Sequence, residues 1–221
     1  MRRPYILFDL DGTLTDPMVG ITRSVQHALR AYGIEVEDLK DLCPFIGPPL
    51  KDSFMKYYDF PEEQAQEAIG RYREYFAVTG IFENRVYDGI TEMLKKLKED
   101  KRTLLVATSK PEAFAVQILE HFHLARYFDW VCGASMDEKR VKKGDVIAYA
   151  METAGIKDAK EAVMVGDREH DILGAAQNSM DCVGVLFGYG SRQELEEAGA
   201  KRIAATVEEL EEILLGDHII E

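Results

Sequence analysis

Cysteine is scarce. The 221 residues hold three, Cys43, Cys132 and Cys182, a number and spacing that suggest neither a disulfide framework nor a zinc site. Long hydrophobic runs are missing too: nothing approaches the ~18 apolar residues of a membrane span. The start of the chain, "MRRPYILFDLDG", is basic, but its apolar stretch breaks at Asp9, unlike a signal peptide. A reducing cytoplasm is the expected setting. Basic residues are outnumbered, 27 Lys and Arg against 40 Asp and Glu, for a formal net charge of -13. A chain with no positive excess is not expected to bind nucleic acid, and with no long apolar run no membrane partner is expected. An anionic ligand would need a cation or a few placed basic groups. Hydrophobic content of 46% and charged content of 30% describe a globular protein.

Short apolar runs recur along the chain: "YILFDLD" from Tyr5, then 103–109, 130–135, 162–167, 182–188 and, more weakly, 202–206. These read as buried strands. The segments between them have helical periodicity. In 89–100, Ile90, Met93, Leu94 and Leu97 share one face. Pro111 is placed to open the helix at 112–122, Gly155 to stop the one at 145–155, and Thr206 to cap the last one. Alternating helices and continuously apolar strands predict a doubly wound parallel α/β sheet, Rossmann-like, covered on both faces. Residues 17–84 break the alternation and read as helices only. The expected organisation is therefore a core of residues 1–16 and 85–221 interrupted by a helical insert at 17–84.

In open parallel sheets ligands bind at the carboxyl ends of the strands. Those ends carry the chemistry here. The first strand ends in Asp9, Leu10 and Asp11, the second in Thr108 and Ser109, the fourth in Gly166 and Asp167, with Asp171 one helical turn on. Lys142 and Lys143 precede a helix. On an extended segment Asp9 and Asp11 point the same way. Carboxylates held close repel, so a pKa rises or a cation sits between them. With Asp167 they form a hard oxygen set suited to magnesium. A hydroxyl from Thr108 and a lysine ammonium would cover the remaining charge of a phosphoryl group. Asp9 could then attack phosphorus, while Asp11 gives and takes the proton. Ser109 either shares the phosphate contact or caps the next helix. Asp171 also fits as an acid favoured by a helix N-terminus.

"DLDGTLTD" resembles the first motif of the haloacid dehalogenase (HAD) superfamily, "VATSKP" its second, Lys143 its third and "GDREHD" its fourth. The order is the family's, and the resemblance runs over the whole chain. The insert resembles the small helical cap of the phosphoglycolate phosphatase-like branch. The resemblance implies a Rossmann-like core with an inserted all-helical cap. It implies Asp9 as nucleophile and metal ligand, and Asp11 as general acid/base with its carbonyl on the metal. Thr108 and Lys143 would hold the phosphate, Asp167 and Asp171 would serve Mg2+, and Gly12 and Thr13 would wrap the phosphate with the turn. Lys142 and Lys139 are close neighbours, so Lys142 competes with Lys143 for this role, and the proline that often follows the family's lysine is absent, a departure that bears on the loop geometry.

The function implied is magnesium-dependent hydrolysis of small phosphomonoesters, of phosphoglycolate or 5'-nucleotidase type, through an aspartyl phosphate. The expected partner is a small-molecule phosphate ester, and the expected state a monomer or homodimer. A sugar phosphomutase similar to β-phosphoglucomutase is the closest rival. A receiver domain gathers similar groups, but it needs neither the second acid nor the insert. Within the insert, Arg23 and Lys51 are candidate anion contacts, and the loop Cys43–Lys51 a candidate substrate-facing segment.

Overall fold

The computed structural model describes residues 3–136 and 139–216. It divides the chain into two compact units, one of them Asp16–Arg85 and the other the chain on either side of it.

The larger unit is built on a six-stranded parallel sheet. In chain order its strands are β1 (Tyr5–Phe8), β4 (Thr103–Pro111), β5 (Trp130–Ala134), β6 (Ala162–Gly166), β7 (Asp181–Val185) and β8 (Arg202–Ala204). Strands β2 (Thr15–Asp16) and β3 (Arg85–Val86) form a separate pair where the chain passes between units. The spatial order is β5-β4-β1-β6-β7-β8. Tyr5 lies opposite Thr103 on one side and Ala162 on the other. The connections therefore reverse direction at β1, and the carboxyl ends of β1, β4 and β6 open beside one another. This reversal is where such sheets bind ligands.

Helices α4 (Ile90–Glu99), α5 (Glu112–His121), α6 (Lys143–Ala154), α7 (Glu169–Gln177), α8 (Arg192–Glu197) and α9 (Val207–Leu215) flank the sheet. One face buries Leu7, Leu105, Ala107 and Met164 with Val146, Ile147 and Ala150 of α6 and Ile172 and Ala175 of α7. On the other face Phe8 meets Phe128 edge-on at 6.2 Å. The apolar face read for α4 is buried in full. Gly155 ends α6 in the left-handed conformation that glycine tolerates, with φ 69°. Thr206 caps α9, its hydroxyl accepting from the Glu209 amide at 3.2 Å. Two boundaries differ from expectation. Pro111 ends β4 with extended backbone and caps α5, which starts at Glu112. Helix α6 starts two residues earlier than expected, at Lys143.

The smaller unit contains α1 (Met18–Arg30), α2 (Leu50–Tyr58) and α3 (Glu62–Phe76), with a 3-10 segment at Leu39–Phe45. Its core is aromatic: Phe54 stacks on Phe60 at 5.9 Å and meets Phe45 edge-on at 5.0 Å. Phe45 and Ile46, in the Pro- and Gly-rich loop, are buried in this core. Lys51 pairs with Glu62 and Arg23 with Glu83, within the unit. No helix among the described residues is long and apolar enough to cross a membrane.

Candidate active site

Strand β1 delivers two acids. Its ladder continues through the Asp9 amide, which donates to Val165 O at 2.9 Å, so Asp9 is held beside the end of β6. The chain then folds tightly. The Leu10 carbonyl accepts from the amides of Thr13, Leu14 and Thr15, and the Gly12 amide donates to Thr15 O at 2.8 Å. Gly12 has φ +84°, and a Cβ there would lie 2.2 Å from Asp167 Oδ2. Only glycine allows both the turn and that approach.

Asp9, Asp167 and Asp171 each offer a carboxylate oxygen within 4.8 Å of the others, and all three are buried. Asp167 stands at the end of β6, and its Oδ2 accepts from the Tyr189 amide at 2.8 Å. Its Oδ1 has no hydrogen-bond partner among the described residues. Asp171 lies in the first turn of α7, where Oδ2 accepts from the Arg168 amide at 3.1 Å. It therefore stabilises the helix start and joins the cluster at once.

Lys143, the first residue of α6, is buried between the acids. Its Nζ is 2.8 Å from Oδ1 of both Asp9 and Asp171 and donates to Ala107 O at 3.1 Å. Lys142, one position earlier, is exposed, so the helix phase brings Lys143 and not Lys142 into the cluster. Burial works to lower the Lys143 pKa, but Asp171 and Asp9 outweigh it and raise it. Burial pushes Asp167 well above the usual aspartate range, with Asp171 and Asp9 adding to the effect. Burial also raises Asp171, against the pull of Lys143.

Three buried acids facing one lysine leave a local excess of negative charge, and Asp167 Oδ1 has no hydrogen-bond partner among the described residues. That combination fits a hard divalent cation with oxygen ligands. Thr108 is buried three residues before the end of β4, and its hydroxyl accepts from the Lys110 amide at 3.2 Å. Ser109 beside it is half-buried. Thr13 is fully buried.

Lys110 is the residue that sequence reasoning passed over. Its Nζ donates to Asp11 Oδ2 at 2.6 Å, inside the site. The sequence carries no plain signal for it: Ser109 and Lys110 have no register partners on β5, so the two-residue spacing from Thr108 does not by itself place the Lys110 side chain. Burial raises the Asp11 pKa, and Lys110 opposes that shift.

Comparison with known proteins gives the chain's relatives. The haloacid dehalogenase-like hydrolase family model matches residues 6–185. A 5'-nucleotidase of Pseudomonas aeruginosa is 48% identical over 214 residues, covering 97% of this chain and 96% of that one. Tyrosine-protein kinase PtkA of Mycobacterium tuberculosis is 39% identical over 95% of this chain and 72% of its own. The crystal structure of a predicted phosphatase from Clostridium acetobutylicum superimposes with a TM-score of 0.95 at 53% identity, covering 97% of this chain and 99% of that one. The chain belongs to the haloacid dehalogenase-like hydrolases, in the phosphoglycolate phosphatase-like branch that carries a helical cap.

Proposed function

We propose that the protein is a magnesium-dependent phosphatase of small phosphomonoesters that works through an aspartyl phosphate on Asp9. The observation that carries this reading is the buried cluster of Asp9, Asp167 and Asp171 around Lys143, at the point where the sheet reverses. Asp9, Asp167 and Asp171, with the Asp11 carbonyl, would hold Mg2+, whose charge would offset that of the phosphoryl oxygens.

An Asp9 oxygen attacks phosphorus, and the bond to the ester oxygen breaks as the new one forms. Asp11 gives the leaving oxygen its proton. In the second half Asp11 takes a proton from water as the water oxygen attacks phosphorus, and the bond to Asp9 breaks. Lys143 holds Asp9 in place and balances charge on the phosphoryl group. Thr108 and Ser109 donate to its oxygens, and Gly12 and Thr13 form the turn on which it sits. The helical insert, residues 17–84, is read as the cap. The likeness to the Pseudomonas aeruginosa 5'-nucleotidase supports nucleoside 5'-monophosphates as the first substrate class to try, with phosphoglycolate next.

The test is phosphate release from a panel of phosphomonoesters, with magnesium and with EDTA, for wild type and Asp9→Asn. The expected result is magnesium-dependent release that Asp9→Asn abolishes. Isomerisation of a sugar phosphate without release would mark a mutase instead. Because of the likeness to PtkA, one arm offers ATP and a tyrosine peptide. Transfer to the peptide with no ester hydrolysis would replace the phosphatase reading with a kinase.

A further inference from the structure

Lys110 is a buried cation in contact with the acid/base, and the reaction above gives it no task. Its ammonium is 2.6 Å from Asp11 Oδ2, and the two side chains are 5% and 10% exposed. A solvent-exposed pair would hold little geometry. A buried one is kept, because breaking it strands a charge. The two oxygens of Asp11 are thereby made different. Oδ2 is taken by Lys110, whereas Oδ1 is buried and has no hydrogen-bond partner among the described residues.

The backbone is shaped to deliver this lysine. Thr108 lies opposite Gly133 of β5, and the next paired residues are Pro111 and Ala134. Ser109 and Lys110 are thus extra residues on β4, a bulge of the kind that re-aims side chains beside functional sites. The bulge is fixed from both sides. The Lys110 amide donates to the Thr108 hydroxyl. On β5, Gly133 leaves space for the Lys110 carbonyl, which would lie 2.7 Å from any Cβ at that position.

We propose that Lys110 is a positioning residue: by holding Oδ2 of Asp11 it presents Oδ1 as the oxygen that protonates the leaving group and later receives a proton from water. The inference rests on the phosphatase reading. Lys110 neither gains nor loses a proton in either half-reaction. The proton passes from Asp11 Oδ1 to the ester oxygen as the P–O bond breaks, and from water back to Oδ1 as the aspartyl phosphate is hydrolysed.

The leaving group tests this. An alkyl ester must leave as an alcohol and needs the proton, whereas 4-nitrophenyl phosphate leaves as a stable phenolate without one. The kcat/KM values report the first half-reaction. The comparison uses 4-nitrophenyl phosphate and whichever of phosphoglycolate and adenosine 5'-monophosphate wild type hydrolyses faster. Lys110→Met should lower kcat/KM roughly 100-fold for the alkyl ester and by less than about 5-fold for the aryl ester. Asp11→Asn should show the same asymmetry, and adding Lys110→Met to it should cause no further loss. Lys110→Arg should recover part of the alkyl rate. Lys110→Gln carries the same test if the Met variant does not fold. Equal losses on the two esters, or losses that add to those of Asp11→Asn, would overturn the assignment and leave Lys110 a structural cation. If wild type releases phosphate from none of the panel of phosphomonoesters, it is the phosphatase reading that fails.

Discussion

Asp167 illustrates the tension built into the site. It is fully buried, faces two other acids, and has one oxygen satisfied by the Tyr189 amide. Holding its charge without a cation opposes folding, because burial and like charges both disfavour the ionised form. Asparagine is nearly isosteric, can still accept from Tyr189, and removes the repulsion. Asp167→Asn is expected to stabilise the metal-free protein by about 1–3 kcal/mol, read as a Tm roughly 2–10 °C higher in EDTA, and to abolish stabilisation by magnesium. A lower Tm in EDTA would mean that the carboxylate is not under strain. Individual acids were legible in the sequence because strand ends and fixed spacings mark them. The lysines were harder to read. A lysine next to other polar residues reads as solvated, and the burial of Lys110 depends on a bulge set partly by Gly133, 23 positions away in the sequence. The choice between Lys142 and Lys143 turns on where α6 begins, and no side-chain cap marks that point.

Among the elements, the strands of the sheet were the most legible, because four-to-seven-residue apolar runs have few other uses in a chain of this composition. The two-residue strands β2 and β3 carry no such pattern; pairing alone defines them. The β4 bulge is similarly hidden, and glycine substitutions expose it. At Gly133 a Cβ would lie 2.5 Å from the Glu112 Cα and 2.7 Å from the Lys110 carbonyl, both backbone atoms that cannot step aside. At Gly70, exposed in α3, a Cβ meets nothing within 4 Å. The same substitution should therefore act in opposite directions. Gly133→Ala is expected to destabilise by about 1–3 kcal/mol through overpacking. Gly70→Ala should stabilise by about 0.5–1 kcal/mol through the helix preference for alanine. Denaturant midpoints at constant slope give both signs, and a neutral Gly133→Ala would show that β4 and β5 can part without cost.

At the scale of the whole molecule, a chain of net charge -13 that gathers its acids in a buried site has tied its stability to pH and to divalent cations. The usual acidic residues settle early. Asp181, Glu62, Glu194 and Glu208 have lowered pKa values, so what they contribute is complete above the ordinary carboxylate range and constant from pH 5 upward. Asp11, Asp167 and Asp171 are raised above 3.8. The folded protein therefore binds more protons than the unfolded chain above that value, and stability falls as pH rises through the raised pKa values. Lys143 is also raised, from 10.5; its contribution is fully present below that pH and is lost only above it. Between pH 5 and 8 the acids of the site thus act against the metal-free protein. A divalent cation that replaces their protons should recover more stability at higher pH. The expected outcome is a magnesium-induced rise in Tm that is small at pH 5 and grows to roughly 5–10 °C at pH 8, for magnesium about 100-fold above its Kd. Taking the difference with and without magnesium at each pH cancels titrations elsewhere in the chain, and Asp167→Asn should flatten the trend. A magnesium shift that is constant with pH, or larger at pH 5, would show that the cation binds without displacing protons from these acids.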